Sequence, residues 1–155
     1  MPMEIKEMVR QALRDGGVGV RISDAPFVYL DKNYVRILGG VKSAIEQALA
    51  LKRLVVVQIR GETKAINEEA IDAVHAGAGI IMVDTGRWED AAEVIKILKE
   101  RELRSQVRIA FAGDISLDER ELESLSELEL DAIDIGYAIL DGACLPMRFD
   151  VIEVA

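Results

Sequence analysis

The chain has 155 residues, 19 basic and 28 acidic, for a net charge of −9; half of it is apolar and 30% is charged. That is one domain's worth of chain with enough apolar material for a core, and it excludes a disordered or membrane-embedded protein. The acidic balance argues against a general nucleic-acid binder, which needs a basic face, but leaves room for a nucleotide held by a few local cations.

Other features of the whole chain point the same way. The apolar runs are strand-sized, far below the ~20 residues of a membrane helix. The N-terminus MPMEIKEMVRQAL mixes both charge signs and lacks a secretory apolar stretch, so a soluble cytoplasmic protein is expected. The single cysteine, Cys144, allows no internal disulfide and reads as a small core residue. The length falls short of a full eight-stranded β/α barrel, which takes about 250 residues.

In chain order, Ile5, Met8, Val9 and Ala12 follow helical spacing, and Gly16-Gly17 ends that helix. VGVRI (18–22), FVYL (27–30) and VRIL (35–38) read as short strands separated by turn residues, which predicts an antiparallel opening. After Gly39-Gly40, Val41, Ala44, Ile45, Ala48 and Leu49 define a helix face. LVVVQI (54–59) is a β-branched strand. Asn67 is placed to cap a helix through Ala76, closed by Gly77. GIIMV (79–83) is the next strand, followed by a helix from Trp88 to Arg101 with Ala91, Val94, Ile95 and Leu98 inward. VRIAFA (107–112) is a strand, Ser116-Leu117-Asp118-Glu119 has the form of a capping box, AIDI (132–135) is a strand, and RFDVIEV (148–154) is a candidate last one.

Alternating strands and helices predict a single α/β domain over 1–155, three-layered, with a mostly parallel or mixed sheet and helices on both faces. In such a sheet ligands bind beyond the carboxyl ends of the strands. Those positions hold Arg60-Gly61-Glu62, Asp84-Thr85-Gly86, Gly113-Asp114 and Gly136-Tyr137, with Gly39-Gly40 and Lys42 as an earlier counterpart. Asp84 and Asp114 are the candidate catalytic carboxylates and Mg²⁺ ligands, since magnesium takes one or two protein carboxylates plus substrate phosphate oxygens. Thr85, Gly86 and Gly113 are candidate donors to a phosphate or ring, and Lys32, Lys42 and Arg60 candidate phosphate-neutralising cations. Trp88 is a candidate stacking residue, and Tyr137 a polar tip beside Asp141 and Gly142. The bland alternative is that the aspartates cap helices and the glycines make tight turns. Neither a P-loop nor GxGxxG is present, and His75 reads as a surface or capping residue.

Two resemblances arise at these residues. "DKNYVRILGG", "AGAGIIMVDTG", "IAFAGDIS" and "LDAIDIGYAI" look like the barrel half of quinolinate phosphoribosyltransferases. That likeness implies strand ends that bind a pyridine carboxylate, a sugar phosphate and magnesium. Asp84 matches a family acid, whereas Gln58 stands where a carboxylate is expected. "DAPFVYLDKNYVRILGG" and "DTGRWED" resemble guanylyltransferases of iron–guanylylpyridinol cofactor assembly. This second likeness implies transfer of GMP from GTP to a pyridinol hydroxyl, magnesium and a homodimer. The expectation drawn here is a magnesium-dependent guanylyltransferase with a nucleotide and a pyridine-type substrate. The alternatives are a nucleoside triphosphate pyrophosphatase, a phosphoribosyltransferase-like enzyme, and a non-catalytic ligand-binding or scaffold domain.

Overall fold

The structure is a computed structural model that describes residues 3–113, 115 and 118–136. Helix α1 (Met3–Asp15) is followed by β1 (Phe27–Leu30), α2 (Lys32–Ile37), α3 (Val41–Leu49), β2 (Leu54–Ile59), α4 (Ile66–His75), β3 (Ile80–Asp84), α5 (Trp88–Glu100), a 3-10 turn at Arg104–Gln106, β4 (Arg108–Ala112), α6 (Glu119–Ser126) and β5 (Ala132–Ile133). The five strands form one sheet in chain order, β1-β2-β3-β4-β5. Every ladder is parallel, in registers such as Val57↔Ile81 and Ile81↔Ile109.

Chain-order pairing has a consequence. Parallel crossovers are almost always right-handed, so stepping one strand at a time in one direction lays successive helices on the same face. The packing agrees. Val55, Val57, Ile59, Ile81, Val83, Ile109 and Phe111 point to the face covered by Ile45 of α3, Ala73 of α4, Val94 of α5 and Leu125 of α6. The alternate residues Val56, Ile80, Met82, Ala110 and Ala112 point to the other face, where Ile22, Phe27 and Ala132 pack on them. There Val9 and Leu13 of α1, with residues 18–22, enclose a cavity of about 590 Å³ against Met82 and Ala110. The sheet is thus flanked by helices, as the alternation of apolar runs predicts.

The opening differs from the expected antiparallel section. Residues 35–38 are helical up to Ile37: Asp31 caps α2, its carboxylate accepting from the backbone N–H groups of Asn33 (2.8 Å) and Tyr34 (3.0 Å). An N-cap supplies donors' partners that a strand would not need. Residues 18–22 are no strand either; they cross the second face instead of finding an edge to pair with. Gly39-Gly40 therefore joins two helices and is not a strand end, with both φ angles in the left-handed region. Asn67 lies inside α4, whose cap position is Ala65. Asp118 caps α6 by accepting from Arg120 N–H (3.0 Å), while Ser116 lies outside the described residues. The expected strand at 148–154 also lies outside them, as does Cys144.

Candidate functional site

The carboxyl ends of β1, β2 and β3 bring their second-face residues together. Alternation along a strand puts every other side chain on one face, so Tyr29, Gln58, Met82 and Asp84 share the face of Val56. Gln58 is buried, and the two ends of its amide are told apart by their partners. Its Oε1 accepts from Lys32 N–H at 2.7 Å, and its Nε2 donates to Asp84 Oδ2. Arg60, two residues further along, donates from its guanidinium to the same Asp84 oxygen at 2.8 Å. The arginine also meets Glu62 at 3.4 Å, and Glu62 in turn meets Arg36 at 2.6 Å. The rim is an alternating chain of charge, Arg36–Glu62–Arg60–Asp84, with Gln58 tying its end to the start of α2.

Tyr29 completes this surface. Its hydroxyl donates to Met82 Sδ at 3.1 Å. Burial first, then the negative charges of Asp84, Asp134 and Asp31, push its phenol up to about 12. The hydroxyl therefore stays protonated near neutral pH, with its one proton directed at Met82 Sδ.

The loop carrying Arg60 is held by a residue the sequence reading passes over. Glu69, on α4, is buried at 2% exposure. Its carboxylate accepts from the backbone N–H groups of Arg60 (3.1 Å), Gly61 (2.8 Å) and Thr63 (2.8 Å), and from the Thr63 hydroxyl (2.7 Å). A buried carboxylate needs such compensation, and here it converts an irregular loop into a fixed one. The available signal was Glu69 itself: on a helix face shared with Ala70 and Ala73, an acid is out of pattern.

The other expected site residues fall in different places. Gly86 and Gly113 are brought together, but by touching each other: Gly86 N–H donates to Ala112 O at 3.2 Å, and each glycine has a left-handed φ. Thr85 folds its own loop, its hydroxyl accepting from Arg87 N–H at 3.3 Å. Lys32 reaches the site through its backbone N–H. Lys42 sits on α3 beside Glu46 at 3.9 Å. Trp88 opens α5, 43% exposed. Asp114 and Tyr137, like Asp141 and Gly142, lie outside the described residues. His75 is exposed at the end of α4.

Of the two carboxylates expected to hold magnesium, Asp114 lies outside the described residues, and Asp84 already receives an amide N–H and a guanidinium on one oxygen. Among the described residues no group of three or more His, Cys, Asp or Glu is placed to hold a metal ion. The described residues also include no helix long and apolar enough to cross a membrane.

A one-directional parallel sheet flanked by helices, with polar side chains gathered at the strand carboxyl ends, defines a parallel α/β protein, in which ligands sit at that rim. The chain belongs to the family described as quinolinate phosphoribosyl transferase, C-terminal domain, which it matches over residues 4–150. It is 27% identical over 138 residues to a probable carboxylating nicotinate-nucleotide pyrophosphorylase of Archaeoglobus fulgidus, covering 89% of this chain and 51% of that protein. To the protein so named from Methanothermobacter thermautotrophicus it is 25% identical over 134 residues, covering 83% and 45%. Among solved structures it superposes on a NadC deletion mutant (TM-score 0.66, 25% identity, 86% of this chain and 44% of that one). NadC from Streptococcus pyogenes shares the fold at TM-score 0.65 and 23% identity, with the same 86% and 44% coverage.

These matches correct the guanylyltransferase reading: the family and the named relatives are pyridine-nucleotide enzymes, and GTP, guanylyl transfer and the pyridinol acceptor fall with it. The segments that suggested it have local explanations. DAPFVYLDKNYVRILGG is a strand, a capped helix and a glycine joint, and DTGRWED is a strand end and a helix start. The chain spans about half the length of the curated relatives it matches.

Proposed function

We propose that this chain binds a pyridine nucleotide at the Asp84–Arg60–Gln58 rim and carries out phosphoribosyl transfer of the kind named in its relatives. In the synthetic direction the bond from ribosyl C1′ to pyrophosphate breaks and the quinolinate ring nitrogen bonds to C1′. The ring carboxyl next to that nitrogen leaves as carbon dioxide, and a proton takes its place. Positive charge develops at C1′ and on the ring nitrogen. A fixed carboxylate such as Asp84 favours that charge. Arg60, partly exposed beside it, suits a carboxylate or phosphate of the ligand.

The observation carrying this reading is Asp84 itself, held at a β-strand carboxyl end by two donors within a family match spanning residues 4–150. Magnesium enters this reading only as a companion of the substrate phosphates, not as a ligand of Asp84, and no step above passes through it. A homodimer belongs to it too, supported by Ile37 and Leu51, apolar side chains that are 78% and 61% exposed. The test is to incubate the purified chain with quinolinate and phosphoribosyl pyrophosphate and follow release of carbon dioxide and nicotinate mononucleotide. Release abolished by Asp84→Asn supports the reading; absence of both turnover and nicotinate mononucleotide binding overturns it.

A second reading is favoured by one feature. Asp84 already carries its counter-ion, Arg60. This suits a domain that binds the nucleotide without turning it over. Calorimetric binding of nicotinate mononucleotide without release of carbon dioxide would select it.

A further inference from the structure

We infer that Asp84 is neutralised from within the protein and takes no divalent cation, and that Gln58 and Arg60 decide this. The argument starts from the Gln58 amide. Lys32 N–H, at 2.7 Å from Oε1, can only donate, so the amide oxygen faces it and the amide nitrogen is turned to Asp84. Gln58 is buried at 9% exposure and joined at both ends, so it is locked in that orientation. An amide is the side chain that accepts on one side and donates on the other without carrying charge. Arg60 supplies the positive charge, 2.8 Å from the same carboxylate oxygen. Together they occupy Oδ2 and supply the positive charge that a divalent cation would otherwise bring.

A carboxylate at position 58 reverses the situation. It would still accept from Lys32 N–H, but its second oxygen would face Asp84 across the same gap. Two carboxylates so placed cannot both stay ionised without a proton or a cation between them. Gln58→Glu would therefore convert a closed ion pair into a site for a hard divalent cation, and Arg60→Met would do so more weakly by removing the internal counter-ion.

This inference bears on the rim used in the proposed function, but its test does not need that reading, because the probe is Mn²⁺ alone. Calorimetry and the Mn²⁺ paramagnetic resonance signal would be recorded on the full chain as wild type, Gln58→Glu, Arg60→Met, Asp84→Asn and Arg60→Met with Asp84→Asn. Gln58→Glu is expected to bind Mn²⁺ more tightly than wild type by about tenfold or more, each tenfold being about 1.4 kcal/mol. If Gln58→Glu does not fold, Arg60→Met carries the test: it gains Mn²⁺ affinity, and the added Asp84→Asn removes the gain. Stoichiometric Mn²⁺ binding by the wild type that Asp84→Asn abolishes would overturn the inference, as would folded Gln58→Glu and Arg60→Met chains with wild-type affinity. Failure of the wild type to bind nicotinate mononucleotide would count against the proposed function and leave these outcomes readable.

Discussion

Gly113 lies so close to Gly86 that a Cβ built on it would stand 2.4 Å from the Gly86 nitrogen and 2.8 Å from its Cα. The reverse is nearly as tight, a Cβ on Gly86 meeting Gly113 O at 2.8 Å. The loops after β3 and β4 can meet only because neither residue has a side chain, and both φ angles lie where glycine is at ease (71° and 115°). Gly113→Ala is expected to cost about 3 kcal/mol, as backbone strain and overpacking combine. Urea denaturation would show the loss as a lower midpoint with an unchanged slope. A stability equal to wild type would show that the two loops are not in contact.

Glu69 is expected to govern the order of the loop that carries Arg60. Glu69→Ala leaves the Arg60, Gly61 and Thr63 N–H groups without their acceptor, at a cost of about 3 kcal/mol. Amide hydrogen exchange should accelerate at residues 60–63 more than in β3. Uniform acceleration along the chain would instead place Glu69 among ordinary stabilising residues. Glu69→Gln should be intermediate, its amide keeping one acceptor oxygen.

Asp84→Asn separates chemistry from stability. The side chain sits at the rim, and an amide oxygen can still accept from Gln58 and Arg60. The melting temperature should therefore stay near that of the wild type. The proposed transfer should fall by about a hundredfold, as when one fixed electrostatic partner of a transition state is removed. The measurement is release of carbon dioxide from quinolinate under saturating phosphoribosyl pyrophosphate. Undiminished release in Asp84→Asn would remove this carboxylate from the reaction.

Tyr29 gives a pH signature. Its phenol titrates near 12 in the folded chain against 10.0 in a free side chain. The raised value means that the folded state holds the proton more tightly. Its contribution to stability is therefore complete below about pH 10 and is lost as pH rises through about 12. The tyrosinate absorbance of wild type minus Tyr29→Phe should rise in that upper window. A difference curve centred near 10 would mean that neither burial nor the charges of Asp84, Asp134 and Asp31 act on the phenol.

Much of this molecule is legible in its residues one after another. The runs LVVVQI and GIIMV are strands because β-branched and apolar side chains fill both faces of a covered sheet. The 3.6-residue spacing of Ala91, Val94, Ile95 and Leu98 makes α5 a helix with one buried face. Asp84 was visible as an acid at a strand end, and Arg60 as a cation at the end of the strand before it. Short runs were not decided in this way. Four apolar residues, VRIL, fit either period, and the Asp31 cap with its two backbone donors turned them into helix α2. VGVRI had the composition of a strand, yet it pairs with none of the five strands and crosses the second face of the sheet.

What the chain alone settled was local: which of the longer segments are strands, which coil, and where polar residues interrupt apolar runs, because these follow from side-chain spacing and backbone preference. Only the tertiary structure decided that the strands run in chain order, that Gln58, Arg60 and Asp84 converge on one carboxylate oxygen, that Glu69 is the clamp of the loop beside them, and that Gly86 and Gly113 are each other's reason. Those relationships join residues 6 to 27 positions apart. Such distances are closed by sheet register and helix packing, not by any property of the neighbouring residues.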